Sequence, residues 1–121
     1  MKRILIADDE PNILLSLDFL MRKNGYEVFV ARDGKEAVEI IKDKKPDAVI
    51  LDIMMPEMDG YEVCQFIRND EKLKATKVIF LTAKTQPADI EKGLTMADSY
   101  IKKPFSTKDI VNEVNRMMGI E

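Results

Sequence analysis

The sequence contains no histidine and a single cysteine, Cys64. That inventory excludes disulfide frameworks, Cys/His zinc sites and His-based catalytic triads, so any metal ion must be held by oxygen. Nothing in the sequence around Cys64 marks a thiolate-stabilising setting, and it reads as a small, unreactive core residue. Long apolar runs are missing too. None approaches the roughly 20 residues needed to span a bilayer, and the N-terminal stretch Met1-Lys2-Arg3-Ile4-Leu5-Ile6-Ala7-Asp8 is too short in apolar residues for a signal peptide. A cytoplasmic protein with no membrane partner is expected. There is no excess of positive charge, the net charge being -3, which disfavours a groove that neutralises nucleic-acid phosphates. Repeats, low-complexity segments and linkers are also absent, and 121 residues at 45% hydrophobic composition suit one domain over 1–121.

What is present is an alternation of short β-type runs with helical periodicity. Ile4–Ala7 reads as a strand; then Ile13, Leu14, Leu17, Leu20 and Met21 recur at helical spacing between Pro11 and a stop at Asn24-Gly25. Glu27–Ala31 is a second strand. Asp33-Gly34-Lys35-Glu36 resembles a capping box opening a helix that buries Ala37, Ile40 and Ile41, and Pro46 ends it. Lys42, Lys44 and Lys45 lie at that helix's C-terminal end, where they read as a solvated face opposing the helix dipole. The third strand is Ala48–Asp52, and the helix after Asp59-Gly60 buries Val63, Phe66 and Ile67. The polar stretch Asn69–Thr76 leads to a fourth strand, Val78–Thr82. A fourth helix spans about Pro87–Thr95, and a fifth strand spans about Ser99–Lys102. A last helix opens at an N-cap, Ser106, and buries Ile110, Val111, Val114 and Met117. Right-handed crossovers between such βα units favour an open parallel sheet with helices on both faces and a ligand crevice beyond the strands' carboxyl ends.

Chemistry gathers at that edge. The apolar run Ala48-Val49-Ile50-Leu51 stops on Asp52, strand one ends in Asp8-Asp9-Glu10, strand four in Thr82, and strand five leads to Lys102-Lys103-Pro104-Phe105. Two carboxylates about 4 Å apart repel by roughly 4 kcal/mol at an effective dielectric near 20, so clustered acids need a positive partner. A small hard cation that shares its coordination with a phosphate meets the need, and phosphoryl transfer becomes the leading chemistry. Taken singly, each residue has another use. Asp9 serves equally well as a cap for the first helix, Thr82 as a β-branched strand residue, Lys103 as a surface amine and Tyr100 as a half-buried strand aromatic. Their joint occurrence at successive strand ends is what favours a site.

Four segments then resemble a response regulator receiver domain, the phosphoacceptor module of two-component signalling. They are Ile4–Pro11, Ala48–Gly60, Val78–Lys84 and Ala97–Phe105, in order along almost the whole chain. The resemblance implies a flavodoxin-like (βα)5 three-layer sandwich of α/β class, its five-stranded parallel sheet in the order 2-1-3-4-5. It implies Asp52 as phosphoacceptor, Asp9 as a direct Mg²⁺ (or Mn²⁺) ligand, Asp8 as a ligand largely through water, and the Met54 main-chain carbonyl as a further ligand. Thr82 would hydrogen-bond the phosphoryl group, Lys103 would pair with it, and the Lys103–Pro104 peptide would be cis. Thr82 and Tyr100 would form the switch to the face of the fourth helix, fifth strand and fifth helix. Implied partners are a sensor histidine kinase or phosphotransfer protein and a downstream protein target, with the chain a monomer or a phosphorylation-dependent dimer. The implied role is that of a phosphoacceptor and not of a classical enzyme.

The pattern departs from the family where Met96 stands in place of a common glycine, and a left-handed backbone there would cost roughly 1–2 kcal/mol. Met54 and Lys84 flank the expected path of attacking water; an apolar Met54 cannot orient that water, so a long-lived phosphoform is expected. Glu121 follows closely on the last helix, so output through another protein is expected, unless the chain is a receiver excised from a regulator with a DNA-binding or enzymatic output domain. A flavodoxin-type FMN carrier is disfavoured because Asp8-Asp9-Glu10 would repel its phosphate. A haloacid-dehalogenase-type phosphatase is disfavoured because Met54 replaces the second acid of Asp-x-Asp. An inert scaffold is the weakest alternative, since all five expected site positions are filled.

Overall fold

The computed structural model describes residues 1–84 and 86–120. Ten elements alternate: β1 (Arg3–Ala7), α1 (Pro11–Lys23), β2 (Glu27–Ala31), α2 (Gly34–Lys44), β3 (Ala48–Leu51), α3 (Gly60–Asn69), β4 (Lys77–Thr82), α4 (Pro87–Leu94), β5 (Ser99–Lys102) and α5 (Thr107–Met117). All strands pair in parallel in the order β2-β1-β3-β4-β5. Strand order, parallel pairing and the alternation of strands with helices match the flavodoxin-like sandwich anticipated above.

The period of two along each strand explains the layers. Leu5, Ala7, Val49, Leu51, Val78 and Phe80 face one core, filled by Ala37, Ile41, Val63, Cys64 and Ile67 from α2 and α3. Ile4, Ile6, Ala48, Ile50, Ile79 and Leu81 face the other, filled by Leu14, Leu17 and Met21 of α1 and Ile110 and Val114 of α5. Strands apolar on both faces therefore stay buried on both, which is why the central runs do not alternate with polar residues. Cys64 is wholly buried, and desolvation pushes its thiol up to about 11, so it is an inert core residue as read. Among the described residues no helix is long and apolar enough to cross a membrane.

Several local readings change. The Asp33 side chain caps α2 by accepting from the Glu36 N–H, but Glu36 returns its carboxylate to Arg32 N and not to Asp33, so that box is half made. A reciprocal box occurs instead at Asp59 and Glu62, opening α3. The stop of α2 is made by Lys45, which adopts φ 46° one residue before Pro46. Strand β3 ends at Leu51, leaving Asp52 just beyond it, and Thr95 is the C-cap of α4. Ile40, Phe66, Val111 and Met117 are half-buried at the core margins. Met96 is corrected: it has no positive φ, and the α4–β5 connection needs no glycine there. Its carbonyl instead accepts from Arg68 Nε at 2.8 Å and from Cys64 Sγ, so a side-chain clamp shapes this loop. Glu121 lies outside the described residues.

Candidate functional site

Parallel register brings Ala7, Leu51 and Phe80 level across β1, β3 and β4. The ladder then runs one residue past the strands: Asp8 N donates to Ala31 O, Asp52 N to Ala7 O at 2.9 Å, and Lys103 N to Thr82 O at 2.9 Å. The main chain of each of the three residues is therefore fixed by its neighbouring strand, and their side chains converge at the carboxyl edge. Behind Asp52 the chain doubles back tightly. Gly60 N donates to Ile53 O at 2.7 Å, and a Cβ on Gly60 would come within 2.4 Å of the Asp52 carbonyl oxygen, so only glycine lets α3 approach there.

The Lys103 ammonium is the centre of the site. Its Nζ lies 2.8 Å from Asp8 Oδ2, 3.0 Å from Glu10 Oε1 and 3.2 Å from Asp52 Oδ2, and its side chain is 11% exposed. Burial alone would lower its pKa, but the close Asp8 and Glu10 carboxylates and the charge of Asp52 raise it well above the ordinary lysine value, so the amine is a cation throughout the physiological range. Asp8 shifts upward as well. Burial drives it, outweighing the Lys103 ammonium and the Glu10 N–H that donates to Oδ1 at 2.9 Å. The two shifts share a sign for different reasons: burial raises the Asp8 acid, while the surrounding carboxylates raise the Lys103 ammonium.

Asp8, Glu10 and Asp52 offer carboxylate oxygens within 4.8 Å of one another. Asp8 Oδ2 is buried and, although at ion-pair distance from Lys103, has no hydrogen bond of acceptable angle. An orphaned hard oxygen beside an excess of negative charge fits a divalent cation such as Mg²⁺ or Mn²⁺, and the lack of nitrogen or sulfur ligands fits it too. Asp9 stands apart: it is exposed, is not in that group, and lines a groove with Pro11, Leu14, Leu15, Asp18, Val30 and Arg32. It does not cap α1 either; the N-cap is Glu10. Glu10 is the residue that sequence reasoning left without a role, and its signal was its position, since glutamate is a poor N-cap and here makes no capping bond.

Thr82 closes β4 fully buried, its Oγ1 accepting from Lys84 N at 3.3 Å. Tyr100 is half-buried, and its hydroxyl donates to the Lys84 carbonyl at 2.8 Å, so both residues are tied to the main chain of Lys84. Burial pushes the Tyr100 hydroxyl up to about 12, keeping it a donor. The ring packs edge-on to Phe80, which packs edge-on to Tyr61. Met54 donates its N–H to Asp52 Oδ1 at 3.3 Å, while its side chain is 62% exposed beside the acid. Lys84 Nζ is held toward Asp89 at 3.7 Å. The Lys103–Pro104 peptide is cis.

Comparison with known proteins bears on this arrangement. The sequence model of the family described as response regulator receiver domain matches residues 4–115. The fold superposes on a response regulator from Chloroflexus aurantiacus with a TM-score of 0.91 and 32% identity, covering 98% of each chain. It also superposes on the chemotaxis protein CheY4 of Vibrio cholerae, with a TM-score of 0.90 and 30% identity over 97% of this chain and 98% of that one. A third similar structure is the receiver domain of a signal transduction histidine kinase from Syntrophus aciditrophicus, with a TM-score of 0.91 and 33% identity over 98% of this chain and 91% of that one.

Proposed function

The chain belongs to the response regulator receiver domain family, and on that premise we propose that it accepts a phosphoryl group on Asp52 from a sensor histidine kinase or phosphotransfer protein, in a Mg²⁺-dependent reaction. The observation that carries the proposal is the convergence of a buried ammonium, Lys103, with the Asp8 and Asp52 carboxylates at the end of three parallel strands.

Asp52 is the nucleophile. One of its carboxylate oxygens forms a bond to phosphorus as the bond to the phosphohistidine nitrogen, or to the acyl oxygen of a small acyl phosphate, breaks and its electron pair leaves with the donor. A carboxylate is already ionised at neutral pH and needs no base. Lys103 pairs with the equatorial phosphoryl oxygens, where charge accumulates. Asp8 and Asp52 with the Met54 carbonyl would hold the cation, and Asp9 would join them as a direct ligand by turning in from the groove it lines beside α1. When bound, the cation neutralises the acids and stabilises the phosphoryl oxygens.

The switch follows from the ties to Lys84. Thr82 Oγ1 accepts from the Lys84 N–H in the resting arrangement, and turning it toward a phosphoryl oxygen breaks that bond. The vacated space admits the Tyr100 ring once its hydroxyl leaves the Lys84 carbonyl. Phosphorylation then selects between two arrangements of the α4–β5–α5 face, and a downstream protein reads the result. We place the chain in the cytoplasm, acting as a monomer or a phosphorylation-dependent dimer, without direct nucleic-acid contact. The same switch would serve within a longer regulator carrying an output domain.

Incubation with Mg²⁺ and acetyl phosphate, read by intact mass, tests the proposal. One added phosphoryl mass is expected on wild type and none on Asp52→Asn. A folded wild-type protein that gains no mass, or an Asp52→Asn variant that gains it stoichiometrically, overturns it.

A further inference from the structure

We infer that Glu10 is a positioning residue: it holds the Lys103 ammonium in the resting site and is the one carboxylate that yields it when a phosphoryl group arrives on Asp52. The inference rests on the reading of Asp52 as phosphoacceptor and adds a residue to it.

An ammonium has three N–H donors, and Lys103 faces three carboxylates at 2.8, 3.0 and 3.2 Å. It donates to Glu10 Oε1 and Asp52 Oδ2 and shares its one charge with Asp8 as well. A phosphoryl oxygen arriving at Asp52 competes with these carboxylates for the ammonium, and the most weakly held of them gives way. Asp52 carries the incoming group and remains beside it. Asp8 cannot leave, because its side chain is 2% exposed and its Oδ1 is bound by the Glu10 N–H. Glu10 can leave. Its side chain is 57% exposed at the lip of the site, so swinging it into water costs little burial.

The main chain around Glu10 is built for that role. The residue is pinned as the N-cap of α1, its carbonyl accepting from Ile13 and Leu14 N–H, while its own N–H is held by Asp8. Its carboxylate does no capping and instead spans to a residue 93 positions away. A fixed backbone with a free, long acidic side chain gives a reversible ligand: it keeps Lys103 aimed inward in the resting state without becoming a permanent competitor. Asp9, next in sequence, lines the groove beside α1 and is not among the carboxylates paired with Lys103.

Beryllofluoride, which stands in for the phosphoryl group on Asp52, provides the test. Wild type, Glu10→Gln and Glu10→Asp are each titrated at a Mg²⁺ concentration saturating for that protein, with amide NMR reporting occupancy and thermal melting confirming the fold. Glu10→Gln removes the charge and Glu10→Asp keeps it but shortens the reach by a methylene. Both variants are expected to bind beryllofluoride about two- to fivefold more tightly than wild type, the factor that loss of a partly exposed ion pair gives. If Glu10→Asp binds like wild type, charge at the lip and not release of Lys103 is responsible, and the inference fails. Equal or weaker binding by Glu10→Gln also overturns it. If wild type itself binds no beryllofluoride, the reading of Asp52 fails and this inference with it.

Discussion

The ring of Tyr100 occupies the space that a side chain at position 93 would need: a Cβ built on Gly93 of α4 would lie 2.6 Å from Tyr100 Cδ2 and 2.7 Å from Cε2. Gly93 is the penultimate residue of the eight-residue α4, where glycine costs up to roughly 1 kcal/mol of helix propensity. Here it gives the resting tyrosine its seat, next to Phe80 and beneath the Lys84 carbonyl.

Gly93→Ala should therefore displace Tyr100. The overlap is with a ring anchored by a hydrogen bond, so the variant is expected to lose about 1–3 kcal/mol despite its better helix propensity, and to bind beryllofluoride more tightly because Tyr100 is already driven from its seat. Ring NMR of Tyr100 and urea denaturation check both expectations; an unmoved ring in a variant of unchanged stability would count against the packing argument.

Lys103→Met removes the shared cation while keeping most of the apolar stem. Asp8 and Asp52, at 2% and 5% side-chain exposure, would face each other without compensation. A loss of about 3–5 kcal/mol in urea unfolding is expected without Mg²⁺. Saturating Mg²⁺ should restore part of it, so the rise in melting temperature with Mg²⁺ should be larger in the variant than in wild type. Equal responses would argue that the acids do not form a cation site.

Arg68 fastens α3 to two segments, the stretch just before β4 and the α4–β5 loop. It donates to the carbonyls of Met96, Lys74 and Thr76 at 2.8, 2.9 and 2.6 Å and pairs with Asp98 at 2.9 Å. Arg68→Leu is expected to cost about 3 kcal/mol and to loosen the α4–β5 loop in amide exchange. Arg68→Lys should recover little of it, because one ammonium cannot reproduce the guanidinium's fork of donors.

Glu113 makes a bonded pair with Arg116 and accepts from the Ser99 hydroxyl, and these contacts hold its carboxyl below the ordinary 4.5. A depressed carboxylate adds stability above its unfolded pKa and loses it as pH falls through the lower folded value. Wild type should therefore be more stable than Glu113→Gln at neutral pH, with the gap closing on acidification below the folded pKa. Urea melts at several pH values read this directly; a gap that widened in acid would reverse the assignment.

The exposed thioether of Met54 beside Asp52 offers no hydrogen bond to an attacking water. Under the proposed function the phosphoform should persist, and Met54→Asn should shorten its lifetime. Loss of the added phosphoryl mass over time, followed in Mg²⁺ for both proteins, decides between this and a rapidly hydrolysed wild-type form.

The sequence by itself determined the element order, the doubly buried sheet and the edge at which the acids, the threonine and the lysine emerge. Those features follow from periodicity and from the residues that end each strand, which are local. It also carried the Ser106 cap and the inert Cys64. Only the tertiary structure decided that Glu10 and not Asp9 joins Asp8 and Asp52 around Lys103. Adjacent residues at a strand-to-helix turn point in different directions, and which one faces the site depends on how α1 docks on the sheet. Met96 shows the same limit: a glycine was expected from the resemblance, yet Arg68, twenty-eight positions away, closes that loop without one. Side-chain bonds between segments that meet only in the packed chain have no periodicity, and a linear pattern cannot carry them.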